Sequence, residues 1–460
     1  MRRLGKVMAC ILLGPLSGCA MHVGRASDRP NAGLRIGVFA CDVTPPLGHP
    51  LCGGWIKPVI GFDDPELAKG VVLRDAEGTY VLCTVDWCEL RNDAYDLVRD
   101  RIARAAGTSP SRVAVQCVHQ HNAPLTDSGA QRLLDAEENA PVHADLTFLD
   151  AVTDRLAVAV GEATRRMVRV THVGTSRVKV ERVASSRRVR QPDGSIRVRW
   201  SSVKEPWAAE APEGKIDPWL RTLSFFDGDR ALAYLHYYAT HPQSYYGDGR
   251  TTWDFPGIAR ERLEKETGVF SVYFTGCAGD ITAGKYNDGA PARRQELADR
   301  IGDAMRRSIA SVTREPVGPI NWRSRSVRFP PRTEPKFQAE HQRKVLADPQ
   351  AGERERLGAA VDLAWTLRVA ADRPIELSCL ALGSIRVLHL PGEPFIDYQL
   401  FAQKAAADKF VAVAGYGDGG TGYICTERAY AEGGYEPTAS LLAPPSEHLM
   451  NRAITELLDE

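Results

Sequence analysis

One segment of the chain indicates both a buried strand and a candidate site: Val113-Ala114-Val115-Gln116-Cys117-Val118-His119-Gln120-His121-Asn122-Ala123-Pro124. Its apolar start is rich in β-branched residues and too short for a typical helix, so it predicts a buried β-strand. Side chains two apart on a strand share a face, which would place both imidazoles at one spot beyond the strand's end. Imidazole binds metals and transfers protons near neutral pH. The alternative is one core histidine and one surface histidine with no shared task.

The segments on either side predict an α/β layer. Residues 80–85 form a second strand-like run, and residues 94–106 repeat apolar residues at helical spacing between the two runs. Strand–helix–strand alternation is typical of this fold class. The same reading predicts further helices at 151–167, 293–312, 338–369 (a charged pair) and 447–458, and further strands at 220–226, 231–239, 269–275, 375–380 and 385–390. We therefore predict an α/β fold of mixed sheet layers and helices, forming one large domain over residues 34–460.

Composition argues against one class of partner, although a locally charged surface stays possible. The 460 residues carry 58 basic and 58 acidic side chains, so the formal net charge is zero. A nucleic-acid-binding protein needs a basic stripe to neutralise phosphates. We therefore expect no nucleic-acid partner.

The N-terminal residues are typical of a targeting signal and not of a folded domain. Three cations within the first six residues precede the apolar residues 7–16, which are too few to span a bilayer. Leu16-Ser17-Gly18-Cys19 resembles the lipobox of bacterial lipoproteins. We predict a signal peptide over residues 1–19, lipidation at Cys19 that anchors the protein in the membrane, and a tether over residues 20–33. This reading places an exported lipoprotein in the cell envelope, at the outer membrane or its periplasmic face. An ordinary secretory signal is the alternative.

Ten cysteines show no zinc-finger spacing. Export would permit disulfides, and Cys41 with Cys52, or Cys83 with Cys88, are candidate pairs. Several cysteines instead lie in apolar runs, which favours buried free thiols.

Four further segments place polar side chains in predicted strand-end loops, where active sites tend to lie. They are Ala239-Thr240-His241-Pro242, Gly276-Cys277-Ala278-Gly279-Asp280-Ile281-Thr282, Leu390-Pro391-Gly392-Glu393-Pro394, and the glycine-rich residues 415–423 followed by Tyr430 and Tyr435. Taken singly, each is consistent with a turn or a cap. Together, two strand-end histidines and a carboxylate are the ligands of a catalytic zinc site with an open position.

In their order along the chain these motifs resemble the neutral ceramidase family, the zinc-dependent neutral/alkaline non-lysosomal type, over about residues 34–440. The segment from His119 to Pro124 resembles the family's His-Thr-His-Ser-Gly-Pro, and residues 278–282 resemble its Ala-Gly-Asn/Asp-Val/Leu-Ser. Gly392-Glu393 resembles its Gly-Glu. Tyr423-Ile424-Cys425-Thr426-Glu427 with Tyr435-Glu436 resembles its Tyr-x-Thr-x-Glu…Tyr-Glu.

The resemblance implies which residues act. By position, the implied ligands of Zn²⁺ are His119, His241, Glu393 and Tyr423, and the implied catalytic residues are His121, Arg187, Thr282 and Tyr435. Arg188 is the alternative to Arg187. Thr282 stands where the family has its catalytic serine. Threonine keeps the hydroxyl but adds a methyl group that stiffens χ1.

The resemblance also implies an activity, that of a zinc-dependent amidohydrolase acting on linear amides. It would cleave a ceramide-like N-acyl lipid to a fatty acid and an amine. The sequence predicts no counterpart of the C-terminal immunoglobulin-like domain of long family members. Two alternatives stay open. One is hydrolysis of another acyl amide or ester, because the motifs specify the metal centre and not the acyl pocket. The other is a catalytically weak, surface-anchored binding protein, because Thr282 stands in place of serine.

Overall fold

Three larger β-sheets organise residues 33–459, the part of the chain that the computed structural model describes. The predicted signal peptide, Cys19 and all but Gly33 of the predicted tether lie outside the described residues. The strands are β1 (Arg35–Asp42), β2 (Gly61–Phe62), β3 (Leu67–Arg74), β4 (Thr79–Val85), β5 (Glu89–Arg91), β6 (Val113–Cys117), β7 (Leu125–Asp127), β8 (Val168–Arg169), β9 (His172–Lys179), β10 (Ser185–Ser186), β11 (Arg188–Arg190), β12 (Ile196–Val198), β13 (Trp219–Asp227), β14 (Arg230–Tyr238), β15 (Arg250–Thr251), β16 (Phe270–Thr275), β17 (Ile281–Thr282), β18 (Thr313–Pro316), β19 (Ile320–Val327), β20 (Ile375–Leu382), β21 (Ile385–His389), β22 (Glu393–Pro394), β23 (Phe410–Ala414) and β24 (Tyr423–Ile424).

Helices connect and cover these strands. They are α1 (Asn92–Ala106), α2 (Ser128–Asp135), α3 (Leu146–Arg165), α4 (Pro206–Glu210), α5 (Asp254–Thr267), α6 (Pro291–Ala310), α7 (Ala339–Ala347), α8 (Glu353–Ala370), α9 (Ile396–Ala405), α10 (Glu427–Glu432), α11 (Glu436–Ala439) and α12 (Ser446–Leu458). Every helix and strand predicted from the sequence is present, with ends shifted by a few residues. None of the helices within residues 33–459 is long and apolar enough to cross a membrane.

Each large sheet is mixed. The strand orders are β6-β4-β3-β1-β8, β16-β14-β13-β9-β18 and β19-β20-β21-β23. Most neighbours run antiparallel, but one edge pair in each sheet is parallel: β4 with β6, β14 with β16, and β21 with β23. This confirms the predicted α/β class with mixed sheets.

The three sheets share a single apolar core. Buried side chains from all of them pack together, among them Leu82, Leu235 and Val387. Helices cover the outer faces: α1, α3, α5 and α6 pack on the first two sheets, and α9 and α12 pack on the third. The strands and helices from residue 33 onward therefore belong to one compact unit, as the sequence predicted.

The parallel edge strands end close together. Gln116 of β6, which is 1% exposed, donates its amide hydrogens to the carbonyl oxygens of Leu390, Ala414 and Gly415, beyond β21 and at the end of β23. The backbone N–H of Gly415 in turn donates to Thr275 O at the end of β16. The loops that follow these strands are therefore held at one place in the molecule.

Candidate metal centre

His119 lies beyond the strand that precedes it. Strand β6 ends at Cys117, so the expectation that His119 and His121 share a face of that strand is wrong. Instead His119 has a φ of +77°, a left-handed conformation that is uncommon for residues other than glycine. This turn still brings the two rings to a centroid distance of 5.1 Å. A strained backbone of this kind is typical of functional sites.

Both strand-end histidines use Nδ1 to contact backbone carbonyls. His119 Nδ1 lies 2.9 Å from Cys88 O. His241, which follows β14, places Nδ1 2.6 Å from Ala278 O and 2.9 Å from Ile281 O in the loop after β16. A carbonyl can only accept, so Nδ1 carries the proton and Nε2 presents its lone pair.

Glu393 reaches the two histidines from the third sheet. It follows β21 and begins β22, which pairs in parallel with β24 in the register Glu393 with Tyr423. Glu393 Oε2 lies 3.2 Å from His119 Nε2 and 3.3 Å from His241 Nε2. Three of the four side chains that the resemblance implies as ligands therefore converge on one point.

This point has the donor set of a cation site. His119, His241 and Glu393 are 2%, 0% and 5% exposed, and none of the three converging atoms has a hydrogen bond of good geometry within residues 33–459. Two imidazole lone pairs facing a carboxylate oxygen repel one another unless a proton or cation lies between them. Two nitrogens and one oxygen fit Zn²⁺ with an open position for substrate.

The electrostatics of the three side chains favour a positive charge between them. Although burial lowers the pKa of His119, the Glu393 carboxylate raises it above its usual value. Burial lowers the pKa of His241 to about 3, with a further contribution from Arg187, so its imidazole is neutral and able to bind a metal. Although burial favours protonated Glu393, the two imidazoles hold the pKa of its carboxyl well below the usual range.

Tyr423 lies beside Glu393 because of the β22–β24 pairing. Its hydroxyl accepts a hydrogen bond of 2.9 Å from the Arg187 guanidinium. Burial raises the pKa of Tyr423 well above its usual value. Arg187 is 3% exposed, and its guanidinium lies 5.8 Å from the Tyr423 ring centroid and 5.9 Å from that of Tyr435. Arg187, Tyr423 and Tyr435 thus form one cluster.

The alternative arginine points elsewhere. Arg188 donates to Glu436 at 2.8 Å and to Glu432 at 3.3 Å. Its charge is therefore used in an ion-pair network with α10 and α11. The geometry favours Arg187 as the arginine of the site.

His121 lies at the edge of the candidate metal site, with its Nδ1 3.8 Å from Cys52 Sγ. Its Nε2 is buried and has no hydrogen-bond partner within residues 33–459. The ring also packs edge-on against Tyr246, at a centroid distance of 5.0 Å. His121 thus has a free nitrogen beside the three converging ligands.

Thr282 is less closely connected to the centre. It pairs with Ser185 in the short β10–β17 ladder and is fully buried. Its hydroxyl accepts a hydrogen bond of 3.3 Å from the backbone N–H of Gly284. The link to the metal centre runs through the preceding residue, Ile281, whose carbonyl contacts His241.

A cavity of about 520 Å³ opens onto two of the candidate ligands, Glu393 and Tyr423. Its wall includes Glu393, Tyr423, His121 and Tyr435, together with apolar side chains such as Leu441. This volume is in the usual range for small-molecule sites. The cavity therefore gives a small molecule access to the candidate metal centre and to the implied catalytic residues His121 and Tyr435.

Two neighbours of the candidate centre were not singled out in the sequence, although one of them, Tyr416, lies within the glycine-rich residues 415–423. Tyr416, 1% exposed, stacks on the His119 ring at a centroid distance of 4.3 Å. Glu89 lies 3.7 Å from His119 Nδ1 and forms a buried ion pair with Arg91. Tyr416 follows β23 as Glu393 follows its parallel neighbour β21, so strand-end position was the available signal. Nothing in the local sequence marks Glu89.

All eight cysteines within residues 33–459 are free and buried, so neither Cys41–Cys52 nor Cys83–Cys88 is bonded. The expectation of buried free thiols is confirmed for these residues. Cys52 lies next to Cys88 instead, with 4.0 Å between the sulfur atoms.

No protein-family model matches the chain, and no curated protein sequence matches it. Solved structures do match the fold of the chain. A neutral ceramidase from Pseudomonas aeruginosa superposes with a TM-score of 0.68 and 16% identity, over 93% of this chain and 74% of that one. A ceramidase complexed with C2 gives a TM-score of 0.69 and 16% identity, over 93% and 75%. Identity at this level is evidence about architecture, and the chain therefore has the neutral ceramidase fold.

Proposed function

We propose that this protein is a zinc-dependent amidohydrolase that cleaves an N-acyl lipid of the ceramide type to a fatty acid and an amine. The observation that carries the proposal is the convergence of His119 Nε2, His241 Nε2 and Glu393 Oε2 beside an open cavity. The likeness to ceramidase structures supports the substrate class.

The ligands would be His119, His241, Glu393 and Tyr423. When bound, Zn²⁺ supplies Lewis-acid chemistry that polarises an acyl carbonyl and lowers the pKa of water to about 7. The Nδ1 contacts of the two histidines hold their rings in the metal-binding orientation, because each ring nitrogen that faces a carbonyl keeps its proton.

The other residues would act on the substrate. His121 Nε2, which has no partner among the described residues, would accept a proton from the attacking water and deliver it to the departing amine. Arg187 and Tyr435 would stabilise the negative charge that develops on the carbonyl oxygen, Arg187 as a fixed buried cation and Tyr435 as a hydroxyl donor on the cavity wall. Thr282 would support the loop whose carbonyls orient His241.

Metal analysis of purified variants tests the centre. We expect His241→Ala and Glu393→Ala to lose both zinc and the release of fatty acid from N-acyl sphingoid bases. His389→Gln is a matched control, because this buried histidine lies on β21, four residues before Glu393, and stacks on Trp322 instead. Full zinc content in either ligand variant would refute that ligand's assignment.

A second candidate substrate is an N-acyl compound whose amine part is charged. Arg354 and Asp362 of α8 also line the cavity, and burial raises the pKa of Asp362 to about 6. A charged head group can pair with these side chains, whereas a second hydrocarbon chain cannot. If this candidate is correct, N-acyl amino acids or N-acyl amines will be hydrolysed faster than ceramides, and Asp362→Asn will change that preference.

We also propose that the protein is anchored in the envelope through acyl chains on Cys19. The lipobox-like sequence supports this proposal. Incorporation of labelled palmitate by the expressed protein, and its loss in Cys19→Ser, is the expected result. Labelling that persists in the variant would refute the anchor.

A further inference from the structure

Two cysteines lie side by side in the wall of the cavity. Cys52 Sγ and Cys88 Sγ are 4.0 Å apart, and both residues line the cavity although they are only 5% and 1% exposed. Cys52 also has a φ of +47°, a conformation that residues other than glycine rarely adopt. The candidate function assigns neither thiol a task.

The two cysteines flank the loop that follows His121. The backbone N–H of Cys52 donates to Ala123 O, and that of Cys88 donates to Pro124 O, each at 2.8 Å. Cys88 O is also the carbonyl that contacts His119 Nδ1. A covalent bond between the two sulfur atoms would therefore brace the loop and the carbonyl that orients His119.

We propose that Cys52 and Cys88 are a modification site, a thiol pair that low-molecular-weight disulfides convert to an intramolecular disulfide. The thiolate of Cys52 attacks one sulfur of the external disulfide R–S–S–R and releases R–S⁻. Cys88 Sγ then attacks Cys52 Sγ of the mixed disulfide and releases the second R–S⁻. The two cysteine protons pass to the released thiolates, so two R–SH form as the cysteines are oxidised. The cavity is the route by which the reagent reaches the sulfur atoms.

Peptide mapping separates this bond from the pairs Cys41–Cys52 and Cys83–Cys88, and cysteine variants separate it from the other links between the same two peptides. Trypsin cleaves after Arg35, Lys69, Arg74 and Arg91 but not after Lys57, which precedes Pro58. Cys41 and Cys52 thus lie in peptide 36–69, and Cys83 and Cys88 lie in peptide 75–91. Bonds Cys41–Cys52 and Cys83–Cys88 would lie within one peptide, whereas Cys52–Cys88 joins the two.

The experiment treats the purified full chain with oxidised glutathione, blocks the remaining thiols under denaturing conditions and analyses the non-reduced digest by mass spectrometry. We expect the linked pair 36–69 with 75–91, its loss in Cys52→Ser and in Cys88→Ser, and its persistence in the matched control Cys83→Ser. The linked form should also show an upward shift in Tm that dithiothreitol reverses, because the bond closes a loop between residues 36 positions apart.

Three results would overturn the proposal. The first is alkylation of both cysteines after oxidation. The second is a linked pair that persists in Cys52→Ser. The third is protection of both thiols without a link and its reversal by a chelator, which would make the pair a metal site. None of these readouts depends on hydrolase activity, so they stand or fall separately from the proposed function.

Discussion

Among single residues, Thr282 has a hydroxyl whose hydrogen bond indicates a supporting role. Its contact with Gly284 N–H and its place next to Ile281, whose carbonyl contacts His241, suit a group that supports the His241 loop. We expect Thr282→Ser to hydrolyse the amide at about the wild-type rate and Thr282→Ala to be slower by about two- to tenfold, since losing one hydrogen bond costs about 0.5–1.5 kcal/mol. Steady-state kinetics with an N-acyl substrate checks this. Equal rates for the two variants would remove the hydroxyl from the mechanism.

Asp280 carries a pH dependence of stability. Burial raises the pKa of its carboxyl to about 7, although Ile396 N–H donates to Oδ1. The folded state then holds a proton that the unfolded state releases near pH 4. The contribution of Asp280 to the free energy of unfolding is therefore full below pH 4 and is lost as pH rises through 7.

Asp280→Asn removes this titration and keeps an acceptor for Ile396. Between pH 5 and 7.5 the free energy of unfolding of the wild type should fall by about 3 kcal/mol more than that of the variant, at about 1.4 kcal/mol per pH unit. Urea unfolding of the chelator-treated proteins at both pH values measures the difference. Parallel pH profiles would show that Asp280 is ionised throughout.

At the element scale, the loop after β16 must approach Glu393 closely, and Gly279 permits this. A Cβ at position 279 would lie 2.4 Å from Glu393 O, while Gly279 N–H donates to Pro394 O at 2.9 Å. Gly279→Ala must therefore push this loop away from β22, and with it the carbonyls that hold His241.

We expect Gly279→Ala to lower both Tm and zinc content. Gly318→Ala is its control, because a Cβ there meets no atom within 4 Å. Differential scanning calorimetry and metal analysis give the two readouts. If Gly279→Ala binds zinc as the wild type does, the close approach of the two loops is not what positions His241.

The elements show which parts of the fold could be predicted from sequence. Strands such as β6 and helices such as α1 can be predicted from local periodicity. The polar residues that follow the predicted strands indicate where the candidate site lies. The φ of His119 and the pairing of Glu393 with Tyr423 depend on contacts between distant segments, which no local pattern records. The choice between Arg187 and Arg188 likewise depends on Glu432 and Glu436, more than 240 residues away.

At the scale of the whole molecule, a buried ion pair connects helix α5 to the end of β4 in the first sheet. Arg260 of α5 donates two parallel hydrogen bonds of 2.8 and 2.9 Å to Asp86, which follows β4, and both side chains are fully buried. Asp86 also accepts from Leu67 N–H at 3.0 Å. Removing one partner leaves an uncompensated charge inside the protein.

Arg260→Ala should therefore destabilise the protein by about 3–5 kcal/mol. Arg262→Ala is matched to it on the same helix, where the 43%-exposed Arg262 pairs with Asp299, and should cost no more than about 1 kcal/mol. Because the three sheets share one core, the loss at Arg260 should also increase hydrogen exchange in β20 and β21 of the third sheet. Exchange that rises only around α5 and β4 would mean that the sheets unfold separately. The candidate metal centre takes its ligands from loops after all three sheets, so it would then be lost before the whole molecule unfolds.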